Sequence, residues 1–400
     1  MKIANSVLGR KLLQCLVISG LCAATATAAR ADEIKIGLLS QYSGVYSWWG
    51  QEYQRGVDLY LAQNGSRVGS HTLTVLPRDE AGANPQRARQ LAQELTVRDR
   101  AQYLIGGVFT PTVLGATDII NQTKTPYVIL NSGTSSVTDK SPYFVRVGFT
   151  QWAVSVPLVK WAVEQGAKKA VIVVADYAPG YDAIEAYGTT FKGLGGEIVS
   201  EIKVPMGTTD FSTYLQRVRD AGAQTVFMFM PVGPMSAGFI KAYKQRGLDK
   251  AGFQLLATSE SQENDLPAIG DDAIGLTTAL HYTPYLDNPV NKAFVAAYKA
   301  KFGADALPSV ASVAAYDGMN LIAQMIKATD GKKDGDKAMA AAKIAKWESP
   351  RGPVSIDPAT REIVQNIYMR KVEKIDGKLG NKAFFTYPAV KDPWHELNKK

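Results

Sequence analysis

The sequence has 400 residues, with 45 lysines and arginines against 37 aspartates and glutamates and a formal charge of +8. The basic residues are scattered along the chain, whereas nucleic-acid binding needs them clustered on one face, so that class is excluded. Both cysteines, Cys15 and Cys22, lie before residue 32, which leaves the remainder without a thiol for catalysis or a zinc site.

Lys2, Arg10 and Lys11 precede an apolar run from Leu12 to Ala24, and small residues follow through Ala29, Arg30 and Ala31. This is the charged, apolar and small-residue order of a secretory signal peptide over residues 1–31, with cleavage predicted after Ala31. About 13 apolar residues are too few for the roughly 20 that span a bilayer. Leu21 stands where a lipoprotein signal takes a small residue, which argues against lipidation of Cys22. Removing Lys2, Arg10, Lys11 and Arg30 leaves 41 basic residues against 37 acidic, a formal charge of +4.

The remaining length predicts about two domains. Strands are predicted at Ile34–Leu39, Leu73–Pro77, Tyr103–Ile105, Tyr127–Leu130, Ala170–Ala175, Ile198–Val204, Thr225–Met230 and Phe253–Ala257. Val171 to Val174 and Val226 to Met230 are apolar on both faces, the mark of parallel strands covered by helices. Segments of helical period alternate with them, near 50–64, 85–98, 112–122, 151–165, 180–193, 211–221 and 234–246. Gly166, Gly195, Gly222 and Gly247 stand where left-handed helix stops are expected. The strand–helix rhythm restarts after about residue 150, which predicts two doubly wound α/β sheets rather than one. After about residue 280 come helices near 289–302, 309–329 and 334–345, then strands at Val354–Ile356 and Ile363–Val372. This tail is too small for a third domain, so it is expected to complete the first two by crossing between them several times. Such crossings make a multi-stranded hinge suited to a clamshell.

In open parallel sheets ligands bind beyond the carboxyl ends of the strands. In the first half those ends run into Ser40 to Gly50, Gly106 to Thr112 and Asn131 to Ser136; in the second, into Asp176 to Gly180, Pro231 to Gly233 and Ser259 to Asp265. Thr110 before Pro111 reads as a helix N-cap with proline at the first helical position, a place that favours a carboxylate. Ser132, Gly133 and Thr134 offer hydroxyl and backbone donors beside it. Trp48, Trp49 and Tyr177 offer flat apolar faces, and Glu260, with Glu263 and Asp265 as competitors, is a candidate partner for an ammonium group. No Gly-x-Ser-x-Gly elbow, phosphate loop or paired metal histidines occur, and His71, His281 and His395 are far apart, so neither an enzyme nor a metal or cofactor site is expected.

Ile36 to Gly50, Gly106 to Ala116, Pro126 to Ser136 and Asp176 to Gly180, in this order and spacing, resemble the branched-chain amino acid binding proteins of ABC importers, type I periplasmic binding proteins. The resemblance covers essentially the whole chain after residue 31. It implies an α/β fold of two lobes, each a doubly wound mainly parallel sheet, joined by several hinge crossovers. Residues 32–147 plus 283–350 are expected to form lobe I, and 148–282 plus 351–400 lobe II. It further implies a periplasmic, monomeric protein that closes on a small carboxylate and delivers it to an ABC importer permease. Within that pattern Trp49-Gly50 matches the family's cleft Trp-Gly, and Thr110 stands where a serine usually meets the ligand carboxylate. Ser132 and Thr134 fall on the next loop's contacts and Tyr177 on the second lobe's cleft tyrosine. Glu260 lies in the loop of the family's ammonium-binding acid, and Ala315-Tyr316-Asp317 resembles the late helix beside the hinge. Asn131-Ser132 replaces a common Ser-Pro step and Thr110-Pro111 a serine-rich turn. Trp347 to Pro353, continuing through Asp357-Pro358 to Val372, resembles a branch named for branched-chain amino acids. Relatives of this broad group take aromatic carboxylates or amides, so the resemblance leaves the ligand open among these classes. A clamshell receptor that signals instead of transporting is the alternative use of the same fold.

Overall fold

The computed structural model describes residues 32–398, so the predicted signal peptide and its cleavage point lie outside the described residues. Among those described, no helix is long and apolar enough to cross a membrane.

The first lobe is built on a six-stranded sheet. Its strands are β1 (Glu33–Ser40), β2 (Arg67–Val68), β3 (His71–Asp79), β4 (Tyr103–Gly106), β5 (Tyr127–Ile129) and β6 (Phe144–Arg146), in the order β2-β3-β1-β4-β5-β6. All pairings are parallel except the β2–β3 hairpin at the edge. Ile34, Ile36 and Leu38 alternate along β1 with no exposure, and Leu39 is equally buried, because helices cover both faces.

A second sheet, of nine strands, builds the second lobe and runs on into the hinge, where Val354, Ile356 and Ile363 join the first lobe's core cluster. It comprises β7 (Lys169–Ala175), β8 (Glu197–Val204), β9 (Thr225–Phe229), β10 (Gln254–Ala257), β11 (Thr277–Leu280), β12 (Lys346–Ser349), β13 (Gly352–Ile356), β14 (Ile363–Ile375) and β15 (Lys378–Val390). β8, β7, β9, β10 and β11 pair in parallel, and the long β14–β15 hairpin then adds to β11 antiparallel. The doubly buried runs predicted at Val171 to Val174 and Val226 to Met230 fall on the central strands β7 and β9, with Met230 just past the end of β9. Gly166, Gly195, Gly222 and Gly247 all have positive φ, as their role as helix stops requires.

The chain leaves the first lobe after β6, returns after β11 and leaves again. The returning helix Val310–Thr329 places Ala311, Ala314, Ala315, Met319 and Ile322 in the first lobe's core, while its first turn gives Val310 and Val313 to the second. Asp317 on this helix accepts hydrogen bonds from Trp347 Nε1 (2.7 Å), Ser349 Oγ (2.7 Å) and Arg351 Nε (2.9 Å). That buried knot ties the helix to the β12–β13 turn. A second buried ion pair, Arg146 to Glu362 at 3.1 Å, joins the end of β6 to the residue before β14.

Several predicted boundaries move. The first helix is Ser47–Asn64, so Trp48 and Trp49 lie on it rather than in a loop before it. The predicted helix 85–98 is α-helical only to Gln93 and continues as a π turn over Glu94–Arg98. The helix predicted at 112–122 starts at Thr110 and breaks at Ala116 into two pieces. Thr110 is therefore the first helical residue and Phe109 the N-cap, with no side-chain cap bond. This corrects the predicted capping role: the Thr110 hydroxyl turns to Thr134 Oγ1, 3.2 Å away. Strands β2, β6, β11, β12 and β15 were not predicted, being short, or, in β15, polar on a half-exposed sheet edge.

Candidate functional site

Between the lobes lies a narrow cleft in which the closed-up walls leave a cavity of only about 30 Å³, so a ligand must part them slightly to enter. Its first-lobe wall consists of Trp49, Val108, Phe109, Thr110, Asn131 and Gly133. Its second-lobe wall consists of Tyr177, Pro179, Phe229, Pro231, Val232 and Ser259, while Phe149 and Val310 come from the connections. A wider surface depression beside Trp161, Tyr243 and Phe384 lies on the second lobe alone and is not lined by these strand ends.

The strand ends aim the lining residues. After β1 the chain turns at Gln41, whose carbonyl accepts the Gly50 N–H at 2.9 Å. A Cβ on Gly50 would sit 2.3 Å from that carbonyl oxygen. Glycine after Trp49 is thus what lets the first helix dock here and present the Trp49 indole, which stacks on Trp48 at 4.5 Å and meets Tyr53 edge-on. In the second lobe Gly180 plays the same part, since a Cβ there would approach the Ala175 carbonyl oxygen at the end of β7 to 2.0 Å. This close approach sets Tyr177, whose ring lies parallel to Phe229 at 6.0 Å. Burial pushes the Tyr177 hydroxyl pKa far above its ordinary value, so it stays a neutral donor.

The loop after β5 is shaped from behind. Ser132 has a left-handed backbone (φ 56°), and its hydroxyl donates to the Gly107 carbonyl at 3.1 Å. Arg146, fully buried, donates to the carbonyls of Ser132 (2.7 Å) and Thr134 (2.8 Å). Thr134 Oγ1 accepts from Thr110. Ser132 and Thr134 are thus buried builders of the loop, off the lining, whereas Gly133 between them reaches the cavity. Among the described residues the Gly133 N–H has no protein acceptor.

Of the residues singled out in the sequence, Trp49, Thr110, Gly133 and Tyr177 line this one cavity. Glu260 is not on the lining. It is fully buried and accepts the backbone N–H groups of Met230 at 2.9 Å and Thr258 at 2.7 Å, fastening the ends of β9 and β10 to each other. Burial pushes its carboxyl up to about 7, against the pull of those N–H donors. The competitors are also occupied or away from the wall: Glu263 accepts from Asn381 Nδ2 at 2.9 Å, and Asp265 is not on the lining. The wall therefore carries no acidic and no basic side chain. His281 packs on Phe149 at 5.6 Å, and burial beside Arg351 and Arg370 pushes its pKa well below the ordinary value, so it is neutral.

Sequence reasoning did not single out Phe109, Phe149, Phe229, Ser259 or Val310. Phe109, Phe229 and Ser259 belong to the strand ends and turns that topology marked, but Phe149 and Val310 arrive from crossovers and carry no local mark. Arg146 did carry one: a lone cation in the apolar run Phe144 to Val147 needs a buried partner.

The sequence pattern of the family described as periplasmic binding protein matches residues 33–378. The chain belongs to this family. Within it the chain is a type I periplasmic binding protein of the branched-chain amino acid binding group. It is 46% identical over 370 residues to the Leu/Ile/Val-binding protein homolog 6 of Brucella melitensis biotype 1, covering 92% of this chain and 95% of that one. Among solved structures it is similar to an ABC transporter solute-binding protein from R. palustris in complex with 4-hydroxybenzoate. The TM-score is 0.89 at 46% identity, covering 92% of this chain and 100% of that one. A solute-binding protein from Rhodopseudomonas palustris BisB5 in complex with 3,4-dihydroxybenzoic acid superposes with a TM-score of 0.86 at 42% identity, covering 91% and 99% of the two chains. This periplasmic binding protein is accordingly the solute-binding component of an ABC transporter, and its relatives are binding proteins of transporters rather than enzymes.

Proposed function

We propose that this periplasmic binding protein captures an aromatic monocarboxylate of the hydroxybenzoate kind, not an α-amino acid. The observation that carries this reading is the composition of the wall: the rings of Trp49, Phe109, Phe149, Tyr177 and Phe229, with no carboxylate among them. An α-amino acid would bring a buried ammonium with no anionic partner, at an effective cost of several kcal/mol. An aromatic acid brings only one charge, which the free Gly133 N–H is placed to meet, joined by the Thr110 hydroxyl once it turns from Thr134 to the ligand. Its ring gains about 0.5–1.5 kcal/mol per well-oriented aromatic neighbour beyond the area it buries. The two R. palustris relatives with benzoate-type ligands favour the same class.

In this reading Trp49, Thr110, Gly133 and Tyr177 touch the ligand, Ser132 and Thr134 shape their loop, and Glu260 fixes the second wall without meeting the ligand. The protein is exported by residues 1–31, a segment whose removal the mass of the exported chain checks. It then works as a monomer that delivers its ligand to a permease. The solved relatives are transporter components, which favours transport over a signalling clamshell. The test is calorimetry with 4-hydroxybenzoate, 3,4-dihydroxybenzoate and leucine. Binding of either benzoate with leucine at least about 100-fold weaker is expected, since an unpaired buried charge costs at least that much; tighter binding of leucine would end the reading.

A further inference from the structure

The lobes also meet outside the cavity. Asp182, on the second-lobe helix Ala178–Gly193, accepts the backbone N–H of Ser135 at 3.0 Å. Ser135 continues the Ser132–Thr134 loop of the first lobe, whose carbonyls Arg146 holds from behind. Neither Asp182 nor Ser135 lines the cavity. This bond therefore joins the lobes directly behind the ligand loop without contacting the ligand. Nearby, Tyr46 of the first lobe faces Gly233 of the second, 3.6 Å from where a Cβ there would lie, and Val232 joins the first lobe's core cluster. The lobes are thus in their closed arrangement, the one in which Asp182 and Ser135 are within reach.

We propose that Asp182 is a latch on the closed state, holding the first-lobe ligand loop from the second lobe so that its loss speeds ligand release while leaving the cavity unchanged. The ligand used to read it rests on the function proposed above; the latch itself rests on the interlobe geometry. Opening must break this bond, and it contributes nothing once the lobes are apart, so it acts on the dissociation rate more than on association.

The latch is also coupled to protons. Arg146 and Asp392 face Asp182, with Glu362 and Arg361 behind Arg146. Burial pushes the Asp182 carboxyl up to about 7; Asp392 adds to this, and the Ser135 N–H and Arg146 pull against it. With the lobes apart the carboxyl regains water and its ordinary acidic range. Closure therefore takes up a proton in the interval between that range and about 7, and the closed state weakens as pH rises through about 7. A protonated carboxyl keeps its carbonyl oxygen as an acceptor, so the bond survives protonation.

The test measures 4-hydroxybenzoate affinity by calorimetry and its dissociation by stopped-flow fluorescence at about pH 6 and about pH 8. At about pH 6, where closure is favoured, Asp182→Ala is expected to speed dissociation about tenfold, the weight of leaving the buried Ser135 N–H without its acceptor, with the association rate changed by less than about twofold. The melting temperature of its ligand-free form should match wild type, because the bond belongs to the closed state. Asp182→Asn keeps an acceptor and should dissociate near the wild-type rate, but should lose the wild-type tightening between pH 8 and pH 6. An Asp182→Ala protein with wild-type dissociation, or one whose ligand-free stability falls as much as its affinity, overturns the latch. Failure of wild type to bind 4-hydroxybenzoate overturns only the ligand class, and the same variants are then read with leucine.

Discussion

The two walls of the cavity are held in different ways. The first-lobe wall is shaped by a buried cation: Arg146 holds the carbonyls of Ser132 and Thr134 and pairs with Glu362, and the loop it holds presents the Gly133 N–H beside Thr110. The second-lobe wall is shaped by a buried acid: Glu260 gathers the N–H groups of Met230 and Thr258, and the surface it leaves is Tyr177, Phe229 and Pro231. In both lobes the ionised or ionisable group stays behind the wall and acts on backbone. The difference is which backbone polarity each consumes. Arginine occupies carbonyls and leaves N–H groups for an anion, whereas glutamate occupies N–H groups and leaves a wall of flat rings. A ligand with an anionic end and an aromatic end is divided between them.

The largest effect expected from breaking this comparison is at Arg146. Arg146→Met leaves Glu362 buried without its partner and frees two carbonyls, at a cost of about 3–5 kcal/mol. Thermal unfolding should show a midpoint lowered by many degrees, and adding Glu362→Gln should restore part of it. A single variant as stable as wild type would show that the cation does not hold the wall.

Next is the contrast between the walls themselves. Tyr177→Ala should weaken 4-hydroxybenzoate binding about 30-fold by removing a ring from the cleft, and Thr110→Ala roughly 5- to 10-fold by removing one hydroxyl. Benzamide, which has no charge, should lose affinity mainly against the first wall, making Thr110→Ala nearly silent for it. Calorimetry that finds both variants at wild-type affinity would end the assignment of both walls. The smallest expected effect is that of Gly133→Ala. A Cβ there meets its nearest neighbours, the Gln151 nitrogen and Phe149, at 3.7 Å, an ordinary contact, so melting should be unchanged. The methyl instead takes space beside Phe149, and affinity should fall a few-fold; an unchanged affinity would place the ligand elsewhere along the wall.

Much of this organisation was legible in the residues. The alternation of apolar runs and helical periods, with glycine at the helix stops, located the long parallel strands because those signals act over a few neighbouring residues. Their carboxyl ends then marked Trp49, Thr110, Gly133 and Tyr177 as neighbours in space. Thr110 as a helix cap was misplaced because its hydroxyl had a competing partner 24 residues away, at Thr134. Strands such as β6 and β11 are only three and four residues long and exist because the sheet beside them supplies a register.

What the sequence by itself determined was a pair of α/β sheets and the loops that meet between them, since period, turn chemistry and topology are set by local residue order. Only the tertiary structure decided which charges face the ligand. A loop glutamate looks available until the nearby N–H groups of Met230 and Thr258 are seen to claim it, and an arginine inside a strand looks like an anomaly until its carbonyl partners appear. Those partners come from separate segments folded together, and burial makes each such pairing costly to leave unmade.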